Sequence, residues 1–275
     1  MPTSKKQSGF ATVEKAKIYY ETAGSGTPFV MIHAGVADSR QWNNEFAFFA
    51  RDYQVIRYDM RGYGKSEPVD GEFSHMGDLV SVLETLNVNK PIILMGCSMG
   101  GGLAMDFALT YPSKVKALIM VGSGPSGLEL DVPTPEKFSE VEKAYDAGDF
   151  DLVAELETQV WFDGTGRTPE QVNPAMRKLA YEMNRIALTH EAKGLGKRLP
   201  NTEIPAFDRL GNLNAPVLVI VGAHDVPYIR AAADYMNDNL PHVQKVQIAD
   251  AAHLPNMDHP TEFETIIKYF LTNLN

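Results

Sequence analysis

A serine, a histidine and an aspartate stand in this chain where each could take part in nucleophilic catalysis. Ser98 lies in Gly96-Cys97-Ser98-Met99-Gly100, a G-x-S-x-G spacing. Before it runs the apolar stretch Ile92-Ile93-Leu94-Met95; after it Leu103, Ala104, Phe107 and Ala108 recur at helical spacing until Tyr111-Pro112. A serine at such a strand-to-helix turn is held out in strained backbone geometry. Glycines two positions either side remove side chains that would strike the neighbouring strand and helix. The hydroxyl then sits near the positive end of a helix, where a developing anion is stabilised.

Serine is a weak nucleophile near neutral pH and needs a base. The chain has seven histidines. His253, in "ADAAHLPNMDHP", follows the last strand-like run and precedes the final helix, so its loop can return it to the serine. His33 reads as structural at a strand end, and His259, before Pro260, as a helix cap. His75, His190 and His242 belong to no motif, and His224 adjoins a residue with a better claim, Asp225. Asp225, in "VLVIVGAHDVPY", directly follows an apolar strand and can fix the tautomer of His253. The order Ser98, Asp225, His253 suits a strand-turn-helix nucleophile. Asp250 is the rival acid, but it shares the histidine's own loop and is better placed to brace it.

These residues need a scaffold. Strand-like runs occur at Ala16–Tyr20, Phe29–His33, Gln54–Tyr58, Ile92–Gly96, Val115–Val121, Val217–Gly222 and Val243–Ile248. Helical candidates fall at Arg40–Ala50, Phe73–Leu86, Met99–Thr110, Pro227–Asn239 and Thr261–Asn273. Alternation of this kind calls for a mainly parallel sheet covered on both faces. One interval breaks it: residues 126–207 carry helix-prone, charged sequence and no convincing strand. That interval reads as a helical cap, with residues 1–125 and 208–275 forming the core.

Composition bounds the alternatives. At 275 residues, 44% hydrophobic and 22% charged, the chain suits one sizeable α/β unit with an insertion. A formal net charge of -10 argues against nucleic acid and anionic membranes as partners. The lone Cys97 permits no internal disulfide, which fits a reducing compartment. Met1 to Gly9 show no apolar signal-peptide core, and no stretch approaches the roughly 20 apolar residues of a membrane span, so the expected location is cytoplasmic.

Five ordered motifs resemble the α/β-hydrolase superfamily, in its esterase and lactonase branch with a helical cap. "MIHAGVADSRQW" is similar to the oxyanion loop, "YDMRGYGKSE" to the D-x-R-G-x-G-x-S turn, and "GCSMGG" to the nucleophile turn. "GAHD" is similar to the acid loop and "HLPNMDHP" to the histidine loop. The chain departs at Ala34, where glycine is usual, and at "DAAH" in place of G-x-G-H. The resemblance implies a mostly parallel eight-stranded sheet with helices on both faces and a cap inserted after strand 6. It implies a Ser98–Asp225–His253 triad, with oxyanion donors on the backbone of Gly35 and Met99, and no metal or cofactor. It also implies a tryptophan-bearing cap helix over the nucleophile, which puts Trp161 at the substrate pocket beside Val36 and Leu254. Asp59, Arg61 and Ser66 are expected to organise a surface turn near the site, and Cys97 to be a buried, inert side chain. The expected substrate is a small or medium carboxylic ester or lactone. Carbon–carbon bond hydrolysis, perhydrolysis, or a ligand receptor with little turnover would use the same residues.

Overall fold

The computed structural model describes residues 6–274. Eight strands form one sheet: β1 Gln7–Val13, β2 Ala16–Ala23, β3 Pro28–Ile32, β4 Gln54–Tyr58, β5 Ile92–Cys97, β6 Val115–Val121, β7 Val217–Gly222 and β8 Val243–Ile248. Their spatial order is β1-β2-β4-β3-β5-β6-β7-β8. β1 and β2 pair antiparallel, as do β2 and β4; every other neighbour pair is parallel.

Parallel strands buried on both faces must be apolar throughout. β3, β5 and β7 are buried at every position. Alternate side chains feed two cores: Val30, Ile32 and Leu94 serve one face, while Phe29, Met31 and Met95 serve the other. β1 is an edge strand with a largely exposed, polar start, which explains why only seven strand-like runs stand out in the sequence.

Helices α1 Asn43–Phe49, α2 His75–Thr85, α3 Met99–Thr110, α7 Pro227–Asn239, α8 Pro255–Asp258 and α9 Pro260–Thr272 surround the sheet. Proline at the first helical position starts α7, α8 and α9. Between β6 and β7 lie α4 Lys137–Asp146, α5 Phe150–Thr158 and α6 Pro174–Glu191, with a π-turn at Gln159–Asp163. This insertion has a small apolar cluster of its own, including Ala144, Val153 and Leu188. Its two ends are stitched together: Phe207 N–H donates to the Ser126 carbonyl at 3.0 Å, and Ala206 N–H to Ser126 Oγ at 2.8 Å. The interval is not wholly helical. Lys197–Arg198 pairs in parallel with Glu72–Phe73, a two-residue ladder too short to register as a sequence pattern.

Among the described residues no helix is long and apolar enough to cross a membrane. Met1 to Lys5, part of the segment read as lacking a signal peptide, lie outside the described residues.

Candidate active site

Ser98, Asp225, His253 and Gly35 all follow the carboxyl ends of parallel strands, where open α/β sheets gather their ligands. Ser98 has φ +53° and ψ −117°, a conformation that costs free energy for a side-chain-bearing residue and must be enforced by its surroundings. Its N–H donates to the Val121 carbonyl at 2.9 Å, while its own carbonyl accepts from Ser123 Oγ at 2.7 Å and Gly102 N–H at 3.0 Å. The flanking glycines are required sterically. A Cβ on Gly96 would collide with the Gly100 backbone, and one on Gly100 would lie 2.6 Å from the Ile32 carbonyl oxygen.

The His253 imidazole Nδ1 lies 2.9 Å from Asp225 Oδ2 and 3.0 Å from Oδ1. Asp225 is fully buried and His253 1% exposed. The carboxylate can only accept, so this pairing assigns the proton to Nδ1 and leaves the Nε2 lone pair to act as a base. Val226 N–H donates to the same carboxylate at 2.8 Å. Asp250, by contrast, has a side chain 71% exposed. Its main-chain carbonyl takes the Arg167 guanidinium at 2.8 Å, which makes it a brace for the loop. His259 occupies the position before α9 but caps nothing with its side chain; the ring instead bonds the Asp250 carbonyl, which corrects its reading as a capping residue.

Ser98 Oγ has no hydrogen-bond partner among the described residues. Beside it, Cys97 is buried, with its thiol pushed up to about 12 by desolvation, and its Sγ lies 3.6 Å from the His253 carbonyl. A thiol held so high is a poor nucleophile.

Gly35 and Met99 face one another. A Cβ on Gly35 would touch the Met99 side chain at 3.7 Å. Met99 opens α3, so its N–H has no intrahelical partner, and Gly35 N–H bonds nothing among the described residues. Two free donors therefore flank the serine. The Gly35 loop is held by His33, whose Nε2 accepts from Met60 N–H at 2.9 Å while Nδ1 donates to the Ala34 carbonyl at 2.7 Å. Burial lowers the pKa of His33, which keeps the ring neutral in that bridging role. Ala34 has no positive φ, so the usual glycine is not needed there.

Asp59, Arg61 and Ser66 form a buried latch, which corrects their expected place on a surface turn. Asp59 accepts from the Ser39 and Lys65 amides at 2.8 Å each, and Ser66 Oγ accepts from Tyr19 N–H at 2.8 Å. Arg61 pairs with buried Asp78.

Trp161 is half-buried on the π-turn, its ring 4.5 Å from the His253 ring and 5.6 Å from Phe138. Its carbonyl accepts the His253 N–H at 3.2 Å. Phe162 beside it is fully buried. Val36 and Gly35 stand on the wall of a cavity of about 400 Å³. Met99 stands on the wall of another of about 700 Å³. Leu254, expected on a pocket wall, is instead 2% exposed and belongs to the apolar core with Trp42 and Phe263. Trp161 lines neither cavity. His75 and Arg198 line both, and no motif in the sequence pointed to either. Among the described residues no group of three or more His, Cys, Asp or Glu side chains could hold a metal ion.

The alpha/beta hydrolase fold family model matches residues 27–260. The chain is 27% identical over 274 residues to the 2-hydroxy-6-oxononadienedioate/2-hydroxy-6-oxononatrienedioate hydrolase of Paraburkholderia xenovorans (strain LB400), covering 94% of this chain and 92% of that one. It is 26% identical over 254 residues to the pimeloyl-[acyl-carrier protein] methyl ester esterase of Aeromonas hydrophila subsp. hydrophila, covering 91% and 98%. Among solved structures, Est816, described as an N-acyl homoserine lactone degrading enzyme, superposes with a TM-score of 0.74 at 25% identity, covering 98% of this chain and all of that one.

Proposed function

The chain belongs to the α/β-hydrolase fold family, and from that premise we propose that it is a serine hydrolase cleaving a small or medium carboxylic ester or lactone through an acyl-enzyme. The observation that carries this is Ser98 at positive φ on the turn between β5 and α3, together with a buried Asp225–His253 pair. Similarity to a methyl ester esterase and to a lactone-degrading enzyme supports the substrate class.

In this reading His253 Nε2 takes the Ser98 proton as Oγ attacks the carbonyl carbon. Asp225 stabilises the imidazolium, and the Gly35 and Met99 amides receive the oxyanion. The imidazolium then protonates the leaving alcohol. Water, deprotonated by the same nitrogen, attacks the acyl carbon and returns the serine. The helical insertion acts as a cap. Trp161, on the wall of neither cavity, packs on the catalytic imidazole, excludes water from it, and borders the acyl site through that contact. No cofactor enters these steps.

A fluorophosphonate probe should label Ser98 stoichiometrically. Ser98→Ala should lose the label and lower nitrophenyl-ester turnover by about 10³ or more, and Trp161→Ala should alter acyl-length preference more than thermal stability. Activity that survived Ser98→Ala but vanished in Cys97→Ser would sink the proposal.

One second reading has a specific observation behind it. Similarity over nearly the whole chain to a hydrolase named for an oxo dioate, with no ester in its name, favours carbon–carbon bond hydrolysis on the same triad. Turnover of a vinylogous diketone with no turnover of esters would select it.

A further inference from the structure

We propose that Arg198 forms an anion-binding subsite beside the oxyanion donors, so that the substrate is an ester or lactone carrying a free carboxylate away from the scissile bond. The proposal rests on the serine hydrolase reading for the word ester; the anion subsite itself stands on geometry.

Arg198 is exposed, but strand pairing rather than a loose loop holds its backbone. It pairs with Phe73 in the short parallel ladder, where Lys197 N–H donates to the Gly71 carbonyl at 2.9 Å and Leu199 N–H to the Phe73 carbonyl at 2.7 Å. From there its guanidinium Nη1 lies 2.9 Å from Met99 Sδ. The Met99 residue thus spans the site: its amide faces the oxyanion position, and its thioether meets the guanidinium. Arg198 also stands where the two cavities meet, on the wall of each.

The cation has no countercharge. Among the described residues no carboxylate lies within 4.0 Å of it, and a thioether is a weak acceptor. Nearby acids are engaged elsewhere. Asp78 pairs with Arg61 at 2.6 Å. Asp106 accepts from Ser126 at 2.9 Å and Asn201 at 3.0 Å. Glu157 accepts from Asn184 at 2.7 Å. Glu203, exposed on the larger cavity, makes no ion pair with Arg198.

A second group borders the same space. His75 lines both cavities, is 3% exposed, and its Nδ1 makes no hydrogen bond, the nearest carboxylate oxygen, Asp78 Oδ2, lying 4.0 Å away. Burial, reinforced by the positive field of Arg198, lowers the His75 pKa to about 3, so the ring is neutral. The shared wall therefore presents a guanidinium with no carboxylate in ion-pair reach, beside a neutral imidazole; Glu191, on the smaller cavity, accepts from the Tyr145 hydroxyl at 3.2 Å. A planar carboxylate is the ligand that a guanidinium fork receives best.

The test compares release of nitrophenolate from 4-nitrophenyl hydrogen glutarate and from 4-nitrophenyl methyl glutarate, which share a chain and differ in charge. The wild type should favour the hemiester. Arg198→Gln should lower the ratio of the two kcat/KM values by about tenfold to a hundredfold, chiefly through KM, the size of a lost charged hydrogen bond. Arg198→Lys should restore part of that ratio. Glutarate itself should raise the Tm of the wild type and not that of Arg198→Gln. A ratio that Arg198→Gln leaves intact, with both esters weakened in parallel, overturns the proposal, as does a glutarate shift that survives the substitution. Should neither ester turn over and Ser98 take no fluorophosphonate, the hydrolase reading falls and glutarate binding alone decides the subsite.

Discussion

Replacing Glu45 by Gln should change how the stability of the protein depends on pH. Glu45 sits on α1, fully buried, with Oε2 accepting from Asn256 Nδ2 at 3.1 Å and Oε1 without a partner. Burial dominates its titration, and the carboxyl is raised from 4.5 to about 8. A carboxyl that is harder to ionise in the folded state stabilises the fold while both states are protonated. That contribution is fully present below pH 4.5 and is lost as pH rises toward 8. The whole shift corresponds to about 5 kcal/mol, of which roughly 3 to 4 kcal/mol falls between pH 5 and pH 8. Glutamine keeps the shape and cannot ionise. Guanidinium unfolding of the wild type and Glu45→Gln at both pH values measures the difference. Relative to the wild type, the variant should be more stable at pH 8 than at pH 5 by that amount. An equal gap at the two pH values would mean that Glu45 is already charged in the native state, and the reasoning would fail.

Two further outcomes follow from the site. Asp225→Asn should keep the fold but lower ester turnover by about 10⁴, because the amide favours the wrong imidazole tautomer. Asp250→Asn, at an exposed side chain, should cost far less, and steady-state kinetics that ranked them the other way would move the acid. Gly100→Ala and Gly102→Ala, two residues apart on α3, should shift Tm in opposite directions. The first drives a Cβ into the Ile32 and His33 backbone and should cost about 1–3 kcal/mol or more. The second meets only the Gly124 carbonyl at 3.9 Å and should gain about 0.5–1 kcal/mol from helix propensity.

Much of the scaffold was legible because its signals are local. β3, β5 and β7 are apolar runs buried on both faces, and α3 and α7 begin and end where the sequence says they should. The turn at Ser98 was legible because its glycines answer a steric demand that any sequence must meet. Asp225 and His253 were found by their position after strands, which topology converts into proximity. What escaped depends on distant packing. β1 was hidden because an edge strand needs no apolar face. Arg198 sits in "GKRLPN", whose composition says nothing of the ladder that aims it at Met99. The burial of Asp59, Arg61 and Ser66 follows from their partners at Ser39, Asp78 and Tyr19, and spacing alone cannot show that. Leu254 follows the histidine directly, yet its side chain turns into the core.

The same limit applies to what holds the site in register. An acyl-transfer site works only if the oxyanion donors and the base keep their spacing to within a fraction of an ångström. Here the donor loop and the histidine loop are over 200 positions apart in sequence, and one buried relay joins them. Ala34 N–H, next to Gly35, donates to Gln41 Oε1 at 2.9 Å. Gln41 Nε2 donates to Asn256 Oδ1 at 3.3 Å, and Asn256 Nδ2 returns to the Gln41 carbonyl at 2.8 Å. Asn256 stands three residues after His253, and its amide also donates to Glu45. None of these groups belongs to the catalytic constellation read from the sequence. Their burial makes each bond strong and each vacancy costly. In the proposed mechanism, ionising Glu45 would put a charge on an acceptor of the Asn256 amide, so the protonation of a carboxyl remote from the reaction would be linked through two side-chain amides to the spacing between base and oxyanion donors.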